Sequence, residues 1–534
     1  MKIRNIYFII IGFSILLIAC RKDVLDKKPL DVLTEENVWT DVNLGRAYIN
    51  QLYASLPGGI ERDLDGATEI EDGNKQSTRT YAVGEVTAVN SPFSSSWETY
   101  SVIARINKFL ENFNPPDAEQ EEIDGLKGEA LFLRAFFYRE LNDLFGGVPI
   151  VEKVQSLDDD LLVGRSTYDD CVEFILTDLD AAAALLPDPA DAEVGRANKG
   201  AALALKSRVL LYAASPLHNP GNDPAKWQRA SDAALAVIDG GFGYALYPNY
   251  NELFLTDNNE EVIFDIQYQF PFRTTSNDYT LNPQGLNGAF GNSRPTQNLV
   301  DRYEMANGKP ITDPSSGYDP SNPYENRDER FYGTVLYNGV EWRGIEIETF
   351  FDGAFGPGVN DTYSTGAHMT GYYLRKFLNQ NEDTNPIIFQ DNRADQNWIL
   401  IRYAEILLNY AEAELALGNE NTAREYINMV RAIANQPDLP VSVTGVALQE
   451  RYENERTIEL PFEEQHYFDI RRWKLAPELH AATIFKMEIE NDNGNFIYSI
   501  GEMEERIWND AYYYLPIPQE EIDKNENLIQ NEGY

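Results

Sequence analysis

The chain predicts a mostly α-helical protein, a bundle of degenerate αα-hairpins interrupted by an irregular, loop-rich insert with short β-strands. Apolar residues recur at three- and four-residue steps through long stretches before residue 240 and again after 395, as in helices with a buried face. Two of the later stretches are joined only across Gly418-Asn419, which makes them an αα-hairpin of the kind that repeat proteins stack, without a strict repeat period. Between 241 and 394 Gly, Pro, Asn, Asp and Tyr dominate, and no amphipathic helix is evident.

At the N-terminus, Lys2 and Arg4 precede a nearly unbroken apolar run from Ile6 to Ala19. Spanning a bilayer takes about 20 residues, so this run fits the central segment of a secretory signal instead. Residues 1–19 read as a signal peptide. Leu17-Ile18-Ala19-Cys20 places a small residue before a cysteine and resembles a bacterial lipobox, in which the Cys20 thiol takes the lipid. The alternative is an ordinary signal peptide with an incidental cysteine. Burial contributes ~0.8 kcal/mol per lipid CH2, so a multi-chain anchor holds firmly. Residues 20–36 read as the lipidated N-terminus and its polar linker.

Residues 37–240 form the first helical part. In "IDGLKGEALFLRAFFYRELNDLFGG", Leu126, Ala130, Leu133, Phe137, Leu141 and Leu144 make one stripe. Phe132, Ala135 and Phe136 widen it, which predicts packing on more than one side, and Gly146-Gly147 with Pro149 ends it. A second helix stops at Pro187; a third opens on Asn198 as N-cap and closes before Pro216; a fourth runs into Gly240-Gly241. The insert, 241–394, is too long for a plain loop and is the expected home of the ligand site. From 395 to 534 the helical body resumes, with Ile399, Tyr403, Ile406, Tyr410, Ala413 and Leu417 striping one helix. Ala423, Ile427, Val430 and Ala434 stripe the next.

Composition removes several function classes. Lys+Arg 44 against Asp+Glu 86 leaves a net charge of −42, which repels phosphate backbones, and no basic run offsets it, so nucleic acid is not an expected partner. Two cysteines and four histidines, none in H-E-x-x-H, provide no zinc motif. There is no G-x-S-x-G, and "GAFGPG" lacks the strand-turn-helix context of a dinucleotide loop. "NDNGN", Asn491 to Asn495, resembles half a calcium loop without its closing Glu and reads as a turn. No catalytic residue, metal or cofactor is expected, and structural calcium is not indicated.

A series of motifs then carries a family resemblance. "LFLRAFFYRELNDLFGGVPI", "ALALKSRVLLYAASP", "PTQNLVDRYEMANGKP", "YENRDERFYGTV", "IRYAEILLNYAEA", "ERTIELPFEEQHYFDIRRW" and "YLPIPQEEIDKNENLIQNEGY" occur in the order found in SusD/RagB-type outer-membrane lipoproteins. They span almost the whole chain after Cys20. Two departures stand out: Glu463-Glu464-Gln465-His466 replaces the usual Glu-Gly-x-Arg, and Glu532 stands where Pro is common. The resemblance implies a TPR-like right-handed helical bundle built from both ends of the chain. It also implies a non-enzymatic, lipid-anchored protein on the outer membrane, facing outward, that captures glycan for a SusC-like TonB-dependent transporter. Capture of peptides for the same kind of transporter is the alternative, followed by a glycan-cleaving enzyme and a pure scaffold.

Glycan capture needs flat apolar rings with hydrogen-bonding neighbours. Candidates are Trp342 with Arg343, Phe350 and Phe351 with Asn360 and Tyr363, Arg79 with Tyr81, and Trp97. Each has packing as its competing role, Trp97 most of all, since it opens a helix striped by Tyr100, Ile103 and Ile106. The motif residues Arg134, Tyr138, Arg208, Arg402, Glu405, Arg456, Glu459, Asp469 and Arg472 lie on or beside helices, where Arg–carboxylate pairs fix packing.

Overall fold

The computed structural model describes residues 35–59, 63–73, 76–358, 369–381 and 394–534. The signal peptide, Cys20, Asn360 and Tyr363 lie outside the described residues.

The first half of the body is a run of antiparallel helices. They are α1 (Val42–Tyr53), α2 (Tyr100–Asn112), α3 (Gln120–Phe145), α4 (Tyr168–Leu185), α5 (Lys199–Ala214) and α6 (Pro224–Ile238). Local chemistry sets their ends. The α4 N-terminus carries a capping box in which the Thr167 hydroxyl accepts from the Asp170 N–H at 3.1 Å and Asp170 Oδ2 accepts from the Thr167 N–H at 3.3 Å. Asn198 caps α5 by accepting from the Ala201 N–H at 2.9 Å, a bond whose loss costs about 1 kcal/mol. Gly146 ends α3 in the left-handed conformation at φ 71°. Packing follows chain order, α3 on α4, α4 on α5 and α5 on α6. The long α3 is buried all round, because α1 and α2 cover its other side.

After α6 the chain leaves the body through β2 (Val262–Ile266) and returns through β8 (Trp398–Arg402). These two strands pair antiparallel, with Ile266 opposite Trp398 and Asp265 opposite Ile399. The helices α7 (Tyr403–Ala416) and α8 (Glu420–Ile433) then form the αα-hairpin across Gly418. Although far from it in sequence, α6 packs on α7, so the stack of helix pairs continues unbroken past the insert, a TPR-like arrangement. Helices α9 (Val446–Glu459) and α10 (His466–Arg472) complete the body.

Buried charge pairs lock the two halves. Arg134 grips Asp178 with two 2.7 Å bonds between α3 and α4. Arg208 on α5 donates to Glu405 on α7 at 2.6 Å. Arg456 and Arg472 share Asp469, each at 2.8 Å, and Arg472 also reaches Glu412 at 2.6 Å. Arg402 donates to Glu261, Glu459 and Glu463. All these side chains are buried, so they are architectural: one partner removed from such a pair leaves an uncompensated charge and costs about 3–5 kcal/mol.

The insert holds short two-stranded ribbons. β3 (Ser293–Pro295) pairs with β1 (Glu71–Gly73) from the N-terminal part, β4 (Val335–Leu336) with β7 (Tyr373–Leu374), and β5 (Glu341–Trp342) with β6 (Ile345–Glu346). The loop Asp63–Gly73 joins all parts of the chain. Its Glu69 faces Arg302 at 2.9 Å and His466 at 3.1 Å, its Asp65 accepts from the Tyr467 N–H at 3.3 Å, and Arg506 donates to its Thr68 and Glu71 carbonyls. His466, in place of the usual arginine, thus has a carboxylate of its own.

A long hairpin, β9 (Thr483–Asp492) and β10 (Asn495–Glu505), lies beside the insert. Asn493 at φ 53° and Gly494 at φ 90° make its tight turn, so "NDNGN" is a hairpin loop. Thr370, Phe351 and Asn298 cover the outer edge of β9 through bonds to the Met487 N–H, the Ile489 carbonyl and the Phe485 N–H.

Candidate functional site

Three of the predicted residues contact that hairpin, at its two ends. Phe350 tilts over Phe496 of β10, ring centres 5.4 Å apart. The Phe351 N–H donates to the Ile489 carbonyl of β9 at 3.1 Å, and its ring is 62% exposed. Arg79 pairs with Glu504 near the far end of β10 at 3.2 Å, and Arg506 holds the same carboxylate at 2.9 Å. Strand geometry puts Phe496 and Glu504 about 27 Å apart at about 3.4 Å per residue. A bulge between Glu502 and Glu504 reverses the alternation of β10, so the hairpin carries a phenyl face at its tip and a charged pair at its base on the other face.

The other candidates sit elsewhere. Trp342 is 1% exposed; its indole N–H donates to Asn282 Oδ1 at 3.0 Å, and Arg343 and Arg375 lie against its ring at 5.5 and 5.7 Å. Arg343, at φ 50°, is tied down by Asp278 at 2.8 Å and by the Asn379 carbonyl at 3.0 Å. Tyr81 is buried beneath Arg471, and its hydroxyl donates to the Tyr512 carbonyl at 2.9 Å. Burial, then the neighbouring Tyr467 hydroxyl, pushes the Tyr81 phenol well above its ordinary value, so it stays neutral. Trp97 packs edge-on to Phe145 at 5.0 Å and, at 8% exposure, contributes a sliver of wall to a groove of about 1120 Å3. That groove lies between the Ala88–Ser101 segment and the C-terminal tail, with Glu98, Glu520, Glu521 and Asp523 on its rim.

The structure adds aromatic surface that sequence reasoning missed. At the turn after β2, where Gln269 bridges to Arg273, Phe272 is 85% exposed and Phe270 half exposed. The signal was an aromatic on either side of Pro271 within a loop-rich stretch. Phe496 and Tyr498 on β10 were missed as well, because the hairpin itself was.

Among the described residues no cluster of His, Cys, Asp and Glu could hold a metal ion. Cys171 is free and buried, with its thiol pushed up to about 11 by burial. No described helix is long and apolar enough to cross a membrane.

Comparison with known proteins agrees with this architecture. Residues 260–534 match the model of the SusD family, and residues 46–211 match a family described as starch-binding and associating with the outer membrane. The chain is 25% identical to the starch-binding protein SusD of Bacteroides thetaiotaomicron, over 88% of each chain. A SusD-like protein from Bacteroides fragilis superposes with a TM-score of 0.80 at 30% identity, covering 95% of this chain and 100% of that one. A SusD-like carbohydrate-binding protein from the same species superposes at 0.78 with 28% identity, over 92% and 99% of the two chains. A fold continuous from α1 to β10, matched over nearly its full length, places this chain in the SusD family of glycan-binding proteins.

Proposed function

We propose that the protein captures oligosaccharide or polysaccharide at the cell surface and passes it to a SusC-like TonB-dependent transporter in the outer membrane, without cleaving it. The observation that carries this is the exposed Phe351 ring beside the Phe350–Phe496 pair, on a hairpin whose far end holds the Arg79–Glu504 pair. One unit of a saccharide chain stacks its C–H face on such a phenyl group, and only a chain of several units reaches the charged pair at the far end. Attachment through Cys20 and the 20–36 linker, facing outward, would keep the body over the barrel; the lipobox-like Leu17-Ile18-Ala19-Cys20 supports it.

The test is affinity electrophoresis and calorimetry of the soluble chain beginning after Cys20, against a panel of polysaccharides and peptides. Retention by one or more glycans, reduced in Phe351→Ala, is the expected result. Binding of peptides alone would replace the glycan reading, and released product would mark an enzyme. Copurification of a β-barrel transporter with the Cys20-containing chain tests the partner.

A further inference from the structure

A second pocket opens between the segments Asn249–Leu255 and Arg375–Asn381. It holds about 210 Å3, the liquid volume of about seven waters, which is room for one sugar ring. Phe254 and Phe377, ring centres 5.0 Å apart, are buried behind its wall, with the Lys376 ammonium over Phe254 at 4.4 Å. Its rim is built of carboxamides: Asn249 and Asn251 from one segment, Asn379, Gln380 and Asn381 from another.

Three of those carboxamides have their acceptor side already taken. Asn249 Oδ1 accepts from the Asn251 N–H at 3.1 Å, Asn379 Oδ1 from the Asn381 N–H at 2.9 Å, and Gln380 Oε1 from Arg375 Nη2 at 3.1 Å. The first two also fix their side chains in place. What they present outward is N–H, so the rim is rich in donors.

Arg375 sharpens this. Its guanidinium bonds to the Tyr332 carbonyl and Gln380, both neutral, and among the described residues it has no carboxylate partner. Burial pushes it down from its ordinary value, opposed by the Tyr337 phenol. Lys376 is spoken for by Glu463 at 2.8 Å, and Glu252 is the single acid on the wall. Arg375 carries a charge that no described carboxylate meets, on the same pocket wall as the amide donors.

The geometry points to a binding site for an acidic sugar unit, a hexuronate whose carboxylate pairs with Arg375 and whose hydroxyls meet the rim amides. The sugar class rests on the glycan reading above; the charge preference rests on this pocket alone. Arg343, through the Asn379 carbonyl, and Trp342, beneath Arg375, act as positioning residues for the site.

The experiment is saturation-transfer NMR and calorimetry of the soluble chain with D-glucuronate and D-galacturonate, with D-glucose, glucose 6-sulfate and acetate as comparators. A uronate should bind about tenfold more tightly than glucose, the gain of one charge-assisted bond. Arg375→Gln should erase that preference. Because Arg375 also holds the Tyr332 carbonyl, Asn251→Leu serves as the second variant; it intrudes on the rim from an exposed position and should abolish binding at unchanged melting temperature. Equal affinity for glucose and uronates, uronate binding that survives Asn251→Leu, or no binding of any sugar overturns the proposal. Preference for glucose 6-sulfate over the uronates, with the same dependence on the variants, assigns the oxyanion to a sulfate ester and overturns the carboxylate. Phe351→Ala leaves this binding intact, so failure of the polysaccharide assay and failure of this one are read separately.

Discussion

Arg208 and Glu405 face each other as a bidentate pair, 0% of the glutamate side chain being exposed, although 197 residues separate them in the chain. The pair bolts α5 to α7 and so closes the body behind the insert. Glu405→Gln should destabilise the fold by about 3–5 kcal/mol, because Arg208 would keep its charge in a dry site. Combining Arg208→Met with Glu405→Leu should recover most of that loss. Chemical denaturation of the three variants checks both statements.

The loop Asp63–Gly73 makes stability depend on pH in two opposite ways. Burial raises Asp65 to about 7, outweighing the pull of His466. A carboxyl whose folded pKa is raised leaves stability intact below its unfolded value near 4 and erodes it as pH climbs from there to about 7. Asp65→Asn keeps an acceptor for the Tyr467 N–H and removes the titration. Its melting temperature relative to the parent should therefore rise between pH 4.5 and 7.5.

Glu69 goes the other way. Burial opposes its charge, but His466 and Arg302 more than compensate and lower it to about 2. That contribution is present above pH 4.5 and is lost as pH falls from there toward 2. Glu69→Gln should thus cost more stability at pH 6 than at pH 3, which paired melting curves will show.

Exposed and buried aromatics separate binding from folding. Phe351→Ala should weaken glycan retention about 3- to 10-fold, the worth of one stacked ring, while leaving the melting curve in place. Trp342→Ala should cost about 3–5 kcal/mol of stability through the cavity it leaves while sparing the Phe351 stacking surface. Affinity electrophoresis at a temperature where both variants remain folded distinguishes them.

Much of the helical body was legible in the residues. The stripe of Leu126, Ala130, Leu133 and Phe137, widened by Phe132 and Phe136, announced a helix covered on several sides, and Asn198 announced its neighbour's cap. These signals are local, so periodicity and capping chemistry suffice. The Asn491–Asn495 turn was legible, but the strands on either side of it were not, because charged residues interrupt their apolar alternation. Site residues were harder. Phe350 and Phe351 are adjacent, yet one stacks on Phe496 and the other faces solvent, a difference set by contacts with a strand more than 100 residues away. Trp342 sits in a two-residue strand, too short for alternation to say which way its ring points.

The pairing of β2 with β8 has a consequence for how such a protein can diversify. The chain departs at Ile266 and re-enters opposite it at Trp398, so everything between behaves as a cassette plugged into one socket. Exchanging the cassette would leave both chain crossings and every helix pair in place; the seams to be refitted are those with Asp63–Gly73, with the β9–β10 hairpin and with the C-terminal helices, where Arg330 meets Glu455 and Glu459, Glu304 meets Arg431, and Lys376 meets Glu463. A scaffold wired this way can acquire a new ligand without relearning how to fold.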